Sequence, residues 1–160
     1  MRFDPVITTG EARGMPATDP LVVGQITLLR EATILAVVHP NCWGAPPAMM
    51  KGWMDRVFAD GAAYAFPKGR DAGEAPLGLL TTKAALVLNT SNTAAEREST
   101  MFGDPLDRIW SHCLLRYCGI RNIERRVFRV VATSTYRERR NWLREARQLA
   151  NEAVQRTQHS

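Results

Sequence analysis

The sequence predicts an α/β domain built around a parallel sheet, and two observations support this. Short continuous apolar runs alternate with longer segments in which apolar residues recur at helical spacing. Strands that alternate with helices are joined by right-handed crossovers, which place the strands parallel. The chain has 160 residues, of which 45% are hydrophobic and 23% charged. This is enough for one core, so we expect a single domain over 1–160.

The first part of the chain predicts an arm, a helix and a strand. Residues 1–18 are rich in Gly, Pro and Thr and lack clean periodicity, so we expect a loop or arm. Asp19 followed by Pro20 is a typical helix start, and the apolar spacing after it predicts a helix to about Glu31. The run at 33–38 is apolar and rich in β-branched residues, which is typical of a strand buried on both faces.

The remaining elements are read in the same way. We expect a loop at 41–47, then a helix at 49–58 closed by Gly61, and then a surface loop at 67–79. A buried strand at 84–88 follows, with a turn at 89–92 and a polar loop at 93–103. A helix from about 106 to 117, an edge strand at 127–131 flanked by arginines, and a final helix after a capping box at Thr135 and Glu138 complete the chain.

Charge and cysteine usage limit the possible functions. The net charge is +5, and from Arg116 onward there are 11 arginines against four glutamates. We interpret this basic third as a solvated helix face, and binding of nucleic acid ranks behind it. No apolar run approaches the roughly 18 residues of a membrane span, so no membrane insertion is expected. The three cysteines lack framework spacing, which indicates reduced thiols and a cytoplasmic location.

The functional site is expected beyond the carboxyl ends of the strands, in the loops at 39–47 and 89–103. Neither loop contains a dinucleotide, phosphate-loop or nucleophile-elbow motif, so the pattern alone names no reaction. His39 and Cys42 could pair as base and nucleophile, but no acid is placed to orient His39. A zinc site that adds His112 and Cys113 is weaker, because Cys113 lies on an apolar stripe and is expected to be buried, so we expect no metal.

One segment carries a specific resemblance. Residues 39–58 read HPNCWGAPPAMMKGWMDRVF, which resembles the signature of the NAD(P)H:quinone oxidoreductase family, aromatic-Pro-x-x-Trp followed by Pro and by Lys-Gly-Trp-x-acid-Arg-Val-Phe. Weaker similarity extends from about Phe3 to Arg147. The resemblance implies a flavodoxin-like fold with flanking helices and a homodimer with FAD or FMN at its interface. It also implies transfer of a hydride from NAD(P)H to flavin N5 and then to a quinone-like acceptor.

The resemblance also implies site residues. Pro40, Asn41, Cys42, Trp43 and Gly44 match the loop that wraps the flavin ring, with backbone amides and the indole touching the ring. Thr90, Ser91 and Asn92 match the turn near its pyrimidine side, and Tyr64 matches an aromatic of the substrate pocket. Phe102 stands near the place of a pocket histidine. The helix motif with Lys51, Trp53, Arg56 and Phe58 is interpreted as packing and dimer contact.

Three departures keep an alternative open. The family's initial strand, phosphate loop, helix and second strand have no counterpart before Met1, so an N-terminally truncated fold is expected. The loop at 93–103 has no Tyr or His, where quinone-reducing members often place a proton-handling pair. Ser91 and Asn92 replace two glycines. The alternative is therefore a catalytically weak or inactive paralogue that acts as a binding or regulatory subunit.

Overall fold

The structure is a computed structural model that describes residues 3–66 and 74–158. The seven predicted helices and strands occur in the predicted order, and within these ranges four further short elements lie between or before them. In chain order they are α1 (Thr9–Ala12), α2 (Pro20–Glu31), β1 (Ile34–Pro40), α3 (Ala48–Val57), β2 (Tyr64–Ala65), β3 (Leu77–Gly78), β4 (Ala84–Ser91), α4 (Ala95–Met101), α5 (Pro105–Asp107, continued by π-helical Arg108–Leu115), β5 (Ile123–Arg129) and α6 (Tyr136–Gln158).

The main sheet is parallel and has the strand order β1-β4-β5, which confirms the predicted fold class. Strand β4 lies in the centre, and its residues are buried on both faces. The larger core lies on one face, where Val37 and Val87 pack among apolar residues of α2, α3 and α5. A smaller core lies on the other face, where Leu86 and Leu88 pack with Phe128 against α6.

Strand β1 differs from its prediction. It lies at an edge of the sheet, and its residues are alternately exposed and buried. Ala36, Val38 and Pro40 are exposed, and Val38 keeps 65% of its surface. The expectation of a strand buried on both faces is therefore wrong, because β1 lies at the edge of the sheet and the apolar side chains of α6 pack on Leu86, Leu88 and Phe128 of the other two strands. The edge position predicted for the last strand is confirmed.

Several segments predicted as loops contain regular structure. The arm at 1–18 includes α1, which begins with a capping box between Thr8 and Glu11. The polar loop at 93–103 includes α4, and the loop at 67–79 includes β3, which pairs with β2. Residues 67–73 of that loop lie outside the described residues. Strand β4 extends beyond its predicted end at 88 to Ser91. Strand β5 begins at Ile123, four residues before the predicted start at 127.

The helix starts with local signals are confirmed. The Asp19 carboxylate accepts the amide N–H of Leu21 at 2.8 Å, and Pro20 opens α2. The Asp104 carboxylate accepts the amide of Asp107, and Thr135 forms the predicted capping box with Glu138. Each cap satisfies an amide that has no partner within its own helix, and so the caps fix the first turns.

The glycine of the Lys-Gly-Trp motif has a packing role in this chain. A Cβ at Gly52 would lie 2.3 Å from Pro5, too close for any side chain. The N-terminal segment therefore crosses α3 at this position. Nearby, Trp53 donates to Gln25 of α2 at 3.2 Å, while Phe58 is buried against Trp53 edge to face. This part of the motif packs the chain onto itself.

The arginines of the C-terminal third are partly explained by this fold. Arg126 of β5 forms an ion pair with Glu145 of α6 at 2.6 Å, and Arg156 of α6 reaches Glu124 at 3.8 Å. These pairs tie α6 to the outer strand. Among residues 3–66 and 74–158, no helix combines the length and the apolar character needed to cross a bilayer.

Candidate functional site

The two predicted loops meet at one edge of the sheet. Pro40 of β1 and Thr90 of β4 are register partners in adjacent parallel strands. Just beyond them, the amide of Asn41 donates to the carbonyl of Thr90 at 2.7 Å. The structure therefore brings the segments 40–44 and 90–92 together at the carboxyl ends of the strands, where open α/β sheets bind ligands.

Trp43 stands on a tight turn. Cys42 and Ala45 exchange two backbone hydrogen bonds of 3.0 Å, and the residues between them, Trp43 and Gly44, have φ angles of 57° and 76°. Positive φ at both central positions is typical of a type I′ turn. A bulky residue in this region costs roughly 1–3 kcal/mol, so the surrounding contacts must hold it there. The turn leaves the Trp43 indole fully exposed.

Four residues hold the turn in place. The Asn41 side chain accepts the amide of Gly44 at 2.7 Å and donates to the Glu98 carboxylate at 3.1 Å. Glu98 is buried and accepts from Arg129 of β5 at 2.5 Å. On the other side, the Pro105 ring lies where a Cβ on Gly44 would be 3.1 Å away. A larger residue at position 44 would therefore have to displace the Pro105 ring by a few tenths of an ångström and would be strained at this positive φ.

The backbone amides of this loop are largely occupied. The N–H groups of Asn41, Cys42, Gly44 and Ala45 all donate to atoms of the chain itself. Within the described part of the chain, the amide of Trp43 has no such acceptor. The resemblance implies that several loop amides touch the flavin ring; the geometry leaves one amide and the indole for that role.

In the segment 90–92, the polar side chains accept hydrogen bonds from backbone amides of the chain itself. The Ser91 hydroxyl accepts the amide of Thr93 at 3.1 Å, and the Asn92 side chain accepts the amide of Ala132 at 2.8 Å. Ser91 is buried and lies in β4, which corrects its predicted place in a turn. The two side chains that stand in place of glycines therefore shape the loops around the sheet edge.

A buried polar network lies below both loops. Trp110 donates its indole N–H to Nε2 of His39 at 2.7 Å, and Asn89 approaches the same nitrogen at 3.0 Å. Because an indole N–H only donates, Nε2 must accept, and the ring proton lies on Nδ1, 2.8 Å from the carbonyl of Pro40. His39 is therefore held as a neutral ring, and burial lowers its pKa.

The network continues to the outer strand. Arg125 donates to the Asn89 side-chain oxygen at 3.0 Å and forms a two-pronged ion pair with Asp104 at 2.7 and 2.9 Å. Burial alone would raise the pKa of Asp104, but the hydrogen bonds and charge of Arg125 outweigh it, and the pKa is lowered. Asp104 directly precedes Pro105, so the network also fixes the neighbour of Gly44.

The state of His39 predicts a pH dependence. The pKa of His39 in the folded chain lies below the ordinary 6.5. As the pH falls, His39 therefore binds a proton in the unfolded chain before it does so in the folded chain. Stability is expected to fall as the pH drops below about 6.5, by at most about 1.4 kcal/mol per pH unit. Urea unfolding at several pH values between about 7.5 and 5 measures this loss. It precedes the loss from Glu11 and Asp104, whose lowered pKa values act only in more acidic solution.

The control for this prediction is the exposed His112, whose side chain lies 3.3 Å from Asp107. A His39→Asn variant is expected to lose the slope between pH 6.5 and 5, while His112→Gln keeps it. Equal stability of the unaltered chain at about pH 7.5 and 5.5 would contradict the assignment.

Tyr64 does not join this site within one chain. Its ring contacts Phe66 and Tyr117 edge to face, at 5.8 and 5.0 Å between ring centres. Tyr117 follows α5 at its far end, whereas Pro105 at the start of α5 lies against Gly44. The length of this helix, largely π-helical, therefore separates the two ends. Phe102, in contrast, is exposed at the end of α4, four residues after Glu98, whose side chain contacts Asn41.

Two cavities of the chain do not include Trp43. A trough of about 890 Å³ runs along the open edge of β1, with Pro40 at one end and Trp53 and Met50 in its wall. A second cavity of about 710 Å³ lies between the N-terminal segment, α2 and α3, and Tyr64 lines it. The exposed indole therefore lies outside both cavities, and only the first of them reaches the site, at Pro40.

The metal and nucleophile alternatives gain no support. In the described ranges, no three or more His, Cys, Asp and Glu side chains are grouped so that they could hold a metal ion. Both ring nitrogens of His39 are engaged, so it has no free nitrogen to activate Cys42. Cys113 is exposed, which corrects its predicted burial, whereas Cys118 is buried and its pKa is raised to about 12.

The arrangement suits a planar ring. An exposed indole on a strained turn, one unpaired amide beside it, and the half-buried Thr90 at the neighbouring strand end offer a flat surface and polar contacts at its edge. The parts that would hold a phosphate are not identified among the described residues. The residues present therefore fit the ring of a flavin.

Comparison with known proteins places the chain in a family. The model of the family described as "Flavodoxin-like fold" matches residues 1–153. The chain is 35% identical over 97 residues to human ribosyldihydronicotinamide dehydrogenase [quinone], which covers 58% of the chain and 40% of that protein. It is 27% identical over 118 residues to an FMN-dependent NADH:quinone oxidoreductase of Cereibacter sphaeroides, which covers 72% and 53%.

A solved structure agrees with this placement. The crystal structure of Smu.1420 from Streptococcus mutans superposes with a TM-score of 0.78 at 25% identity, covering 92% of this chain and 76% of that one. The chain spans about half the length of the two relatives above. The family match over nearly the whole chain, together with the parallel sheet, shows that this chain belongs to the flavodoxin-like fold family.

Proposed function

We propose that the chain is part of a flavin-dependent NAD(P)H:quinone oxidoreductase. The observation that carries the proposal is the fully exposed indole of Trp43, held on a positive-φ turn at the carboxyl edge of the sheet. The names of the two relatives above, a dehydrogenase [quinone] and an FMN-dependent NADH:quinone oxidoreductase, support it. When bound, FAD or FMN supplies two-electron transfer between a nicotinamide donor and a quinone-like acceptor.

The chain's own residues would bind and orient that group. Trp43 offers its indole to the ring, the free amide of Trp43 donates to a ring acceptor, and Thr90 borders the ring from the next strand. The buried His39 stays neutral and keeps the loops in place without contacting the ring. Phe102, exposed beside Pro105, covers the substrate side.

The position of Tyr64 supports a homodimer. Within one chain Tyr64 lies at the opposite end of α5 from the turn, so it lines the substrate pocket only if a second copy supplies it. We therefore place the flavin between two copies of the chain, with the Trp43 turn of one copy facing the Tyr64 region of the other. A cytoplasmic location fits the exposed Cys42 and Cys113 thiols.

The alternative is a binding or regulatory subunit with weak or no activity. It is favoured by the occupied amides of Asn41, Cys42, Gly44 and Ala45 and by the side chains at Ser91 and Asn92. Both features reduce the number of backbone contacts open to a flavin.

Titration of the purified chain with FMN and with FAD separates the two functions. The oxidoreductase is expected to bind one of them about once per chain, with a shifted visible spectrum, and to oxidise NADH or NADPH when a quinone is added. A chain that remains colourless and binds neither flavin would contradict the enzyme and leave the binding subunit.

A further inference from the structure

We propose that Glu98 is a positioning residue for the Trp43 turn. Together with Arg129 it fixes the Asn41 side chain, which in turn holds the backbone that presents the indole. Only the expected effect on flavin binding rests on the proposed function, because the Trp43 turn is present in the structure without flavin.

Glu98 determines which way the Asn41 amide points. The oxygen of that amide accepts from Gly44, and its nitrogen donates to Glu98. In the reversed orientation the nitrogen would face the Gly44 N–H and the oxygen would face a carboxylate, so neither contact would form. The carboxylate thus selects the one orientation in which Asn41 stabilises the turn.

Glu98 is itself held from two directions. Only 3% of its side chain is exposed, and its second carboxylate oxygen accepts from Arg129, which is 16% exposed. Its backbone carbonyl accepts the amides of Phe102 and Gly103, where α4 ends. A buried carboxylate requires such partners. The position of the turn is therefore set by β5 and α4 as well as by β1.

The chemistry explains why a carboxylate is needed. Asn41 and Arg129 both donate to the side chain at 98, and a carboxylate provides one oxygen for each. A glutamine has a single oxygen, so its NH₂ group would face one of the two donors. Glu98→Gln is therefore expected to weaken the link partially, whereas Glu98→Ala removes it.

The effect can be measured without flavin. Hydrogen exchange of the Gly44 amide, followed by NMR, reports whether the Asn41 contact persists. We expect exchange about tenfold faster in Glu98→Ala and an intermediate rate in Glu98→Gln. The Kd for FMN is expected to rise by about tenfold in Glu98→Ala, with an intermediate rise in Glu98→Gln.

A matched control is available on α6. Glu145 pairs with Arg126 of the same strand β5, on the face of the sheet opposite to Glu98. Glu145→Gln makes the same chemical change without touching Asn41, so its Gly44 exchange and FMN affinity should equal those of the unaltered chain.

A double variant guards against misfolding. Glu98→Leu with Arg129→Leu removes both charges, leaves no unpaired buried ion, and is expected to fold while showing the same fast Gly44 exchange. Unchanged Gly44 exchange in Glu98→Ala, or in the double variant if the single one does not fold, overturns the inference. Failure of the unaltered chain to bind FMN defeats the proposed function instead, and the exchange rates still decide the role of Glu98.

Discussion

Replacing Arg56 with Met is expected to destabilise the chain by about 3–5 kcal/mol. The Arg56 side chain is 2% exposed, donates to both oxygens of Glu11, and donates to the carbonyl of Asp4 at 2.7 Å. Its hydrogen bonds lower the pKa of Glu11. Removal of the guanidinium takes the charged partner from the Glu11 carboxylate, which is 10% exposed and keeps the Thr8 amide as a donor, and it frees the N-terminal segment from α3.

Urea unfolding measures this loss, and Lys51→Met is the matched control. Lys51 lies on the same helix and pairs with Asp55 in solvent, with side chains 55% and 41% exposed, so its removal should cost no more than about 0.5 kcal/mol. Equal losses in the two variants would contradict the role assigned to Arg56. Lys51 and Arg56 belong to the same sequence motif, but in the structure the Lys51 side chain is exposed and the Arg56 side chain is buried.

Elements whose causes are local could be predicted from the sequence. The starts of α2 and α6 depend on side chains within three residues of the amides they cap, at Asp19 and Thr135. The buried strand β4 is recognised by its continuous apolar run. In each case the residues that decide the structure are neighbours in the chain, so their pattern is visible without coordinates.

Features with distant causes could not be predicted. The exposure of Val38 depends on where α6 lies, and the apolar run at 33–38 is the same whether or not a helix covers it. Helix α4 has few apolar residues, and its most buried side chain is Glu98, which is stabilised by partners 57 and 31 positions away. A polar segment of this kind is predicted as a loop from its sequence.

The site shows the same division. The resemblance identified the Trp43 turn, but the residues that hold it, Glu98 and Arg129, and the network of Asn89, Arg125 and Asp104 were missed. The sequence of β5 contains one pattern that indicates these buried partners. Arg125 and Arg129 are four residues apart in a strand and therefore share a face, whereas Arg126 faces α6. Two arginines on the core side of a strand indicate buried acidic partners.

Trp43→Ala is expected to weaken FMN binding by about thirtyfold, which corresponds to the loss of about 2 kcal/mol of aromatic stacking. The indole is fully exposed and contributes no packing to the free chain, so the fold should be unaffected. Fluorescence titration with FMN measures the affinity, and urea unfolding checks the stability. An unchanged Kd would place the flavin elsewhere.

Two further variants separate the ring from the strain of its backbone. Glycine adopts positive φ without penalty, so Trp43→Gly should stabilise the free chain by about 1 kcal/mol and still bind FMN as weakly as the alanine variant. Trp43→Phe keeps an aromatic face on the same strained turn and should retain most of the affinity. If glycine instead preserved binding, the turn's backbone would be the contact, and the strain at position 43 would have no role in presenting the indole.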